Sequence, residues 1–162
     1  MQLKKFFSPE YFYHLILFCG FSISMNNLLE IPLINIFFYV FVQILIIYLA
    51  FYYFNFILYF VYLFYGIFID YFLLNQIGPH LIVFISLLFF IAQFKKYMFN
   101  LSSKKIFIIT IVIMYLLFLF EMILAQIIAN YNFEFIKFIQ LCFIGTLILY
   151  PFILICSKIE KI

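Results

Sequence analysis

The chain has 162 residues, of which 70% are hydrophobic and only 9% are charged, and its formal net charge is +3. Soluble globular domains are about 45–50% apolar and about 25% charged, so this sequence carries more apolar surface than a water-soluble fold of its size can bury. The composition excludes a soluble catalytic or nucleic-acid-binding domain and predicts an all-α protein that crosses a membrane several times.

The apolar runs are long and continuous, as over 106–120, whereas the strands of a membrane barrel alternate in polarity. A membrane-spanning helix needs roughly 20 mainly apolar residues, so six helices take roughly 120 residues and leave only short loops and tails. The sequence therefore predicts a single integral membrane domain over residues 1–162. Its six predicted spans cover about residues 11–25, 33–51, 56–74, 80–94, 106–129 and 138–156.

Proline and polar residues mark the first three spans. Ser8-Pro9-Glu10 is a compact helix start, with a hydroxyl cap, proline at the first helical position and an acid in the first turn. Pro32 can open the second span. The break between the second and third spans, at 52–55, is the weakest in the chain because it is polar only at Asn55.

The sharpest turn signal is Asn75–Pro79, where Gly78 can end one helix and Pro79 can begin the next. The break after the fourth span is basic and polar, and Ser102 or Ser103 can cap the fifth span. The basic residues of this break are Lys95, Lys96, Lys104 and Lys105.

The lysines predict the orientation, because positively charged loops stay on the cytoplasmic side of a membrane. With both termini inside, Asn75–Pro79 and the loop Asn130–Lys137 lie outside, and the outer segments hold only Lys137. The inner segments hold Lys4, Lys5, Lys95, Lys96, Lys104, Lys105, Lys158 and Lys161. This distribution favours six spans with the N-terminus and C-terminus inside. It also supports a break at 52–55, because merging the second and third spans would place either the N-terminal tail or the four-lysine loop outside.

Two acids fall inside the predicted spans, where an ionised group costs roughly 2.5–3.5 kcal/mol at the helix centre. Asp70 is expected either at headgroup depth or in an ion site, and Glu121 either as an interhelical hydrogen-bonding residue or as a transport site. Neither acid has a basic partner evident at matching depth in a neighbouring span. The sequence therefore predicts that both serve helix packing or partner contact, and that Asp70→Asn and Glu121→Gln retain function.

The remaining polar residues do not form a recognisable chemical site. His14 and His80 are expected near opposite faces of the membrane, so they are not expected to share a metal. No nucleophile elbow, His-Glu-x-x-His site or glycine-rich phosphate loop occurs in the sequence. We expect no enzymatic activity, no cofactor and no metal. The glutamines within the spans are expected to join helices: Gln43, Gln93, Gln126 and Gln140.

Two stretches resemble the MreD family, the small membrane subunit of the bacterial cell-elongation machinery. The first, YGIFIDYFLLNQIGPHLIVFISLLFF from Tyr65, has Gly66, Asp70 and Gly78 at the family's spacing around a polar turn. The second, IGTLILYPFILICSKIEK, has a glycine, an aromatic-proline pair and a short basic tail. The complete lack of Arg and Trp departs from the family, which often uses both in its loops and ends.

The resemblance implies a non-enzymatic scaffold in the bacterial cytoplasmic membrane, with a fold similar to the substrate-binding subunits of energy-coupling transporters. Its partners would be MreC and, directly or through MreC, MreB, RodA and a penicillin-binding transpeptidase. The four lysines between the fourth and fifth spans form a basic cytoplasmic patch, for anionic lipids or for a cytoskeletal partner. The residues expected to serve helix packing or partner contact are Gly66, Asp70, Gly78, Glu121, Gly145 and Pro151.

Two other functions fit the same layout. The first is a substrate-binding subunit of an energy-coupling vitamin transporter, which would need a polar pocket near the outer face. Asp70, Asn75, Gln76 and Asn132 are the candidates to line such a pocket. The second is a small channel or exporter, which would depend on Glu121 alone.

Overall fold

The computed structural model describes residues 9–24, 32–74, 78–98, 103–130, 132 and 134–159. This part of the chain is all-helical and contains no strand, which confirms the predicted fold class at the level of secondary structure. Each predicted span coincides with one helix. The six helices are α1 (Pro9–Ser24), α2 (Pro32–Tyr52), α3 (Ile57–Leu74), α4 (Pro79–Met98), α5 (Ser103–Ala129) and α6 (Phe135–Ile159).

Proline begins three of these helices, at Pro9, Pro32 and Pro79. The first helical position suits proline because its missing N–H has no partner there in any case. Ser8, the predicted cap of α1, and Ser102, one of the two predicted caps of α5, lie outside the described residues.

The weak break between α2 and α3 is a real interruption, and Asn55 explains it. Its side-chain Oδ1 accepts the backbone N–H of Ile57 at 2.6 Å, and its own carbonyl accepts the N–H of Leu58 at 3.1 Å. Asn55 therefore caps α3 in the way that short polar side chains usually do. The single polar residue of the break therefore fixes where α3 begins.

α5 ends at Ala129, as predicted, whereas α6 begins three residues earlier than predicted. Asn130 follows α5 with a φ of 52°, the left-handed conformation that often terminates helices. α6 begins at Phe135 and not at residue 138, so the end of the predicted outer loop is its first turn. Pro151 lies inside α6, where it removes one N–H from the helical ladder without ending the helix.

α2 lies at the centre of the bundle and packs against α1, α4, α5 and α6. Every residue over 42–50 is buried, and Gln43 is the one side chain in that run with an amide. α3 packs against α4, α4 against α5, and α5 against α6. The largest completely buried side chains, Tyr13, Tyr62, Phe84 and Phe118, come from four different helices, so a single apolar core joins them.

The outward faces of the helices are apolar as well. Ile57 is 64% exposed, Phe64 60%, Phe143 64% and Leu147 61%. Contiguous apolar surface of this extent is rare on soluble monomers. Three helical segments are long and apolar enough to cross a membrane, over Ile34–Tyr52, Lys105–Ile128 and Phe135–Cys156. The chain therefore has the hydropathy and the surface of a membrane protein.

Candidate functional site

Five polar side chains from four helices meet inside the bundle, and we call them the polar cluster. α2 contributes Tyr39 and Gln43, α3 contributes Asp70, α4 contributes His80 and α5 contributes Glu121. Gln43 and Asp70 are completely buried, and His80 and Glu121 are each 4% exposed. Burying this many polar groups is unfavourable unless they satisfy one another.

Asp70 connects α3 to the beginning of α4. Its carboxylate accepts the backbone N–H of Gly78 at 2.8 Å, of His80 at 2.9 Å and of Leu81 at 3.1 Å. These N–H groups lie at the N-terminal end of α4, which has no helical partners for them and carries a partial positive charge. Asp70 is thus an N-terminal cap supplied by the preceding helix.

The His80 ring lies between two carboxylates. Its Nδ1 is 2.7 Å from Asp70 Oδ1, and its Nε2 is 2.5 Å from Glu121 Oε1. Both contacts need a hydrogen, so either the ring is protonated on both nitrogens or Glu121 holds the second proton and donates it to Nε2. In both arrangements the three groups together carry one negative charge.

Glu121 also connects α5 to the central helix. The Tyr39 hydroxyl donates to its Oε1, and Gln43 Nε2 donates to the same oxygen at 3.1 Å. The second carboxylate oxygen, Oε2, is 3.4 Å from Gln43 Nε2. Of the four glutamines predicted to join helices, Gln43 does so, whereas Gln93, Gln126 and Gln140 are exposed.

The prediction that the two acids have no basic partner is wrong, because His80 contacts both of them. The error has a geometric cause. His80 is the second residue of α4, so its position in the sequence suggests a place at the membrane edge. Glu121 lies about 12 Å from the C-terminal end of α5, at 1.5 Å per residue. The helices end at different heights, so residues at unequal distances from the helix ends meet at one depth.

The three glycines singled out from the sequence all face the inside of the bundle. A Cβ on Gly66 would lie 2.5 Å from the Cα of Leu81, so this glycine lets α3 and α4 approach each other closely. Gly78 has a φ of +157°, which side chains rarely adopt. A Cβ on Gly145 would lie 2.7 Å from the terminal methyl carbon of Met114, on α5.

The other candidate residues lie away from the polar cluster. Pro151 is on the exposed face of α6. Lys95 and Lys96 are in the last turn of α4, and Lys104 and Lys105 are in the first turn of α5, so the four lysines lie at one end of this helix pair. Lys105 is exposed, and the side chains of the other three lie outside the described part of the structure.

A cleft of about 390 Å³ lies between α4 and α5, and none of the five cluster residues lines it. Its walls are almost wholly apolar and include Val83, Leu87, Ile113 and Leu117. Over the described ranges, no three His, Cys, Asp or Glu side chains are arranged to hold a metal ion. His14 stacks on Tyr65, at a ring separation of 6.5 Å, and is not part of the cluster.

Comparison of the chain with protein-family models, with curated proteins and with solved structures gave no match.

Proposed function

We propose that this chain is a non-enzymatic membrane scaffold similar to MreD, which helps to couple MreB and MreC to sidewall peptidoglycan synthesis in the bacterial cytoplasmic membrane. The observation that carries the proposal is the way Gly66, Asp70 and Gly78 act together. Gly66 allows α3 and α4 to touch, Asp70 caps α4, and Gly78 donates its N–H to Asp70. The spacing on which the resemblance depends therefore corresponds to one physical unit, a tight α3–α4 hairpin.

The use of the polar side chains supports a scaffold over a transporter subunit. A vitamin-binding subunit needs polar groups directed into a pocket, because binding sites orient their ligands through a few convergent polar atoms. Here Asp70, His80 and Glu121 are buried and bond to one another, and the cleft between α4 and α5 is apolar. The exposed apolar faces of the helices can pack against helices of other membrane proteins, and we propose that the chain acts through such lateral contacts.

As part of the proposal, all six helices cross the membrane with both termini inside. We expect single cysteines at Asn132 and Ser102 to react with an impermeant thiol reagent from opposite sides, in a background without Cys19, Cys142 and Cys156. Asn132 is exposed between α5 and α6, and Ser102 precedes α5 in the basic segment. Labelling of Ser102→Cys in intact cells would contradict this orientation.

The partner is tested by purification from mild detergent. Tagged protein is expected to retain MreC, which would bind laterally through its single helix, since membrane helices associate by close packing and a few hydrogen bonds. Depletion is expected to make rod-shaped or curved cells rounder, because sidewall synthesis loses its organiser while septal synthesis continues.

A different result separates the transporter from the scaffold. Recovery of an ATPase and a bound vitamin with the tagged protein, together with unchanged cell shape on depletion, would favour the transporter subunit. An unrelated membrane protein with the same tag controls for non-specific recovery of MreC.

A further inference from the structure

The cleft between α4 and α5 is apolar and too narrow to admit another helix. Its α4 wall extends from Val83 to Phe90, about 11 Å at 1.5 Å per residue, and its volume is about 390 Å³. The mean cross-section is therefore roughly 40 Å², whereas a helix about 10–12 Å in diameter needs roughly 80–110 Å². A hydrocarbon chain is much thinner than a helix. The dimensions of the cleft thus suit one such chain.

The charges beside the cleft are all positive and lie at one end of it. Between residues 71 and 120 the sequence has four lysines and no acid. The four lysines lie in the last turn of α4 and the first turn of α5, and the Lys105 side chain is exposed. Phe90 precedes Lys95 by about 8 Å along α4, so the apolar cleft begins one to two turns below the basic end.

We propose that the cleft between α4 and α5 binds an acyl chain of an anionic phospholipid whose headgroup lies at the four lysines. Such a lipid matches both parts of the site, because its negative charge and its apolar chain are adjacent. The lysines alone attract anionic headgroups. The cleft adds a fixed place for the chain. This inference rests on the proposed membrane placement of α4 and α5, and not on an association with MreC.

A neighbouring cleft provides a place for the second chain of the same lipid. It is lined by Tyr59 of α3 and otherwise by α4, and it shares Ser86 and Phe90 with the first cleft. These two side chains therefore lie between the two clefts. Gln93 also lines the second cleft and is exposed two residues before Lys95. Its amide can donate a hydrogen bond to an ester carbonyl just below the headgroup.

The test uses tryptophan fluorescence, because the sequence contains no tryptophan and a single introduced one is the whole signal. Leu116→Trp places it at the rim of the cleft, where Leu116 is 58% exposed. Leu147→Trp is the matched control on α6, since Leu147 is 61% exposed. Both positions lie about 18–20 Å from the inner end of their helix.

The full chain is placed in phosphatidylcholine vesicles that contain increasing fractions of a lipid with brominated acyl chains, which quench tryptophan on contact. We expect half-maximal quenching of Leu116→Trp to need at least about fivefold less brominated phosphatidylglycerol than brominated phosphatidylcholine, the effect of one lysine near an anionic lipid. Leu147→Trp should be quenched nearly equally by the two lipids.

Lysine substitutions in the Leu116→Trp background test the headgroup site. Lys104→Gln together with Lys105→Gln should remove most of the preference for phosphatidylglycerol, at about fivefold per lysine. The control is Lys137→Gln, which should leave the preference unchanged. Lys137 is exposed on α6, away from this helix end, and is paired with Glu134 at 2.9 Å.

Four results would overturn the proposal. Three of them are equal quenching of Leu116→Trp by the two lipids, the same preference at Leu147→Trp, and a preference that survives the loss of Lys104 and Lys105. The fourth is a Leu116→Trp signal that neither lipid quenches while Leu147→Trp is quenched, which would show that another helix, such as one of a second copy, covers the cleft. Absence of quenching at Leu147→Trp would instead contradict the membrane placement itself, and the lipid site with it.

Discussion

Gly66→Ala is expected to destabilise the bundle far more than the same change at Gly145. The added Cβ would lie 2.5 Å from the Cα of Leu81 and 2.9 Å from its backbone nitrogen. Backbone atoms of a packed helix cannot move aside singly, so α3 and α4 must separate. We expect a loss at or above the upper end of the roughly 1–3 kcal/mol typical of overpacking. The measurement is the thermal midpoint of the purified protein in detergent.

Gly145→Ala is the matched control, because its clash involves a flexible partner. Its Cβ would lie 2.7 Å from the Met114 methyl carbon and 2.8 Å from the sulfur. Methionine has three rotatable bonds and adapts readily, so the expected loss is below about 1.5 kcal/mol. Equal midpoints for the two variants would show that α3 and α4 do not touch at Gly66.

Asp70→Ala should be the most damaging loss of a polar side chain. It leaves the N–H groups of Gly78, His80 and Leu81 without an acceptor and removes a buried partner of the His80 ring. Breaking a buried ion pair by removing one member typically costs about 3–5 kcal/mol. The measurement is again the thermal midpoint, with folded yield as a second indicator.

Asp70→Asn now carries a different expectation from the one that the sequence suggests. Both carboxylate oxygens accept hydrogen bonds, so whichever oxygen becomes an amide group faces N–H donors. We expect a clear loss of stability, smaller than that of Asp70→Ala. Glu134→Gln is the control, since exposed ion pairs contribute about 0–1 kcal/mol. Wild-type stability in Asp70→Asn would mean that Asp70 does not cap α4.

The helices could be predicted from the sequence because their limits are set locally. Proline at Pro32 and Pro79 and the side chain of Asn55 act within one turn of the chain, so the residues themselves identify the boundaries. The same is true of Gly78, whose unusual φ belongs to the turn that it forms.

The polar cluster could not be predicted in the same way, because it depends on helix heights. Gln43 and Glu121 are 78 residues apart, and their contact requires α2 and α5 to be adjacent and correctly offset. One signal was present in the sequence. With both termini inside, the outer halves of their helices contain Asp70, His80 and Glu121, and Gln43 lies next to the middle of α2. Grouping intramembrane polar residues by membrane half would have suggested the cluster.

The long separation between Gln43 and Glu121 has a consequence for biosynthesis. At roughly 5–20 residues per second, a ribosome needs about 4–16 s to reach Glu121 after Gln43. During that interval α2 is already made, and its amide has no α5 carboxylate to bind. The contacts of the central helix are therefore completed only when α5 is made, and a nascent chain that stalls before Glu121 leaves the Gln43 amide without its carboxylate acceptor.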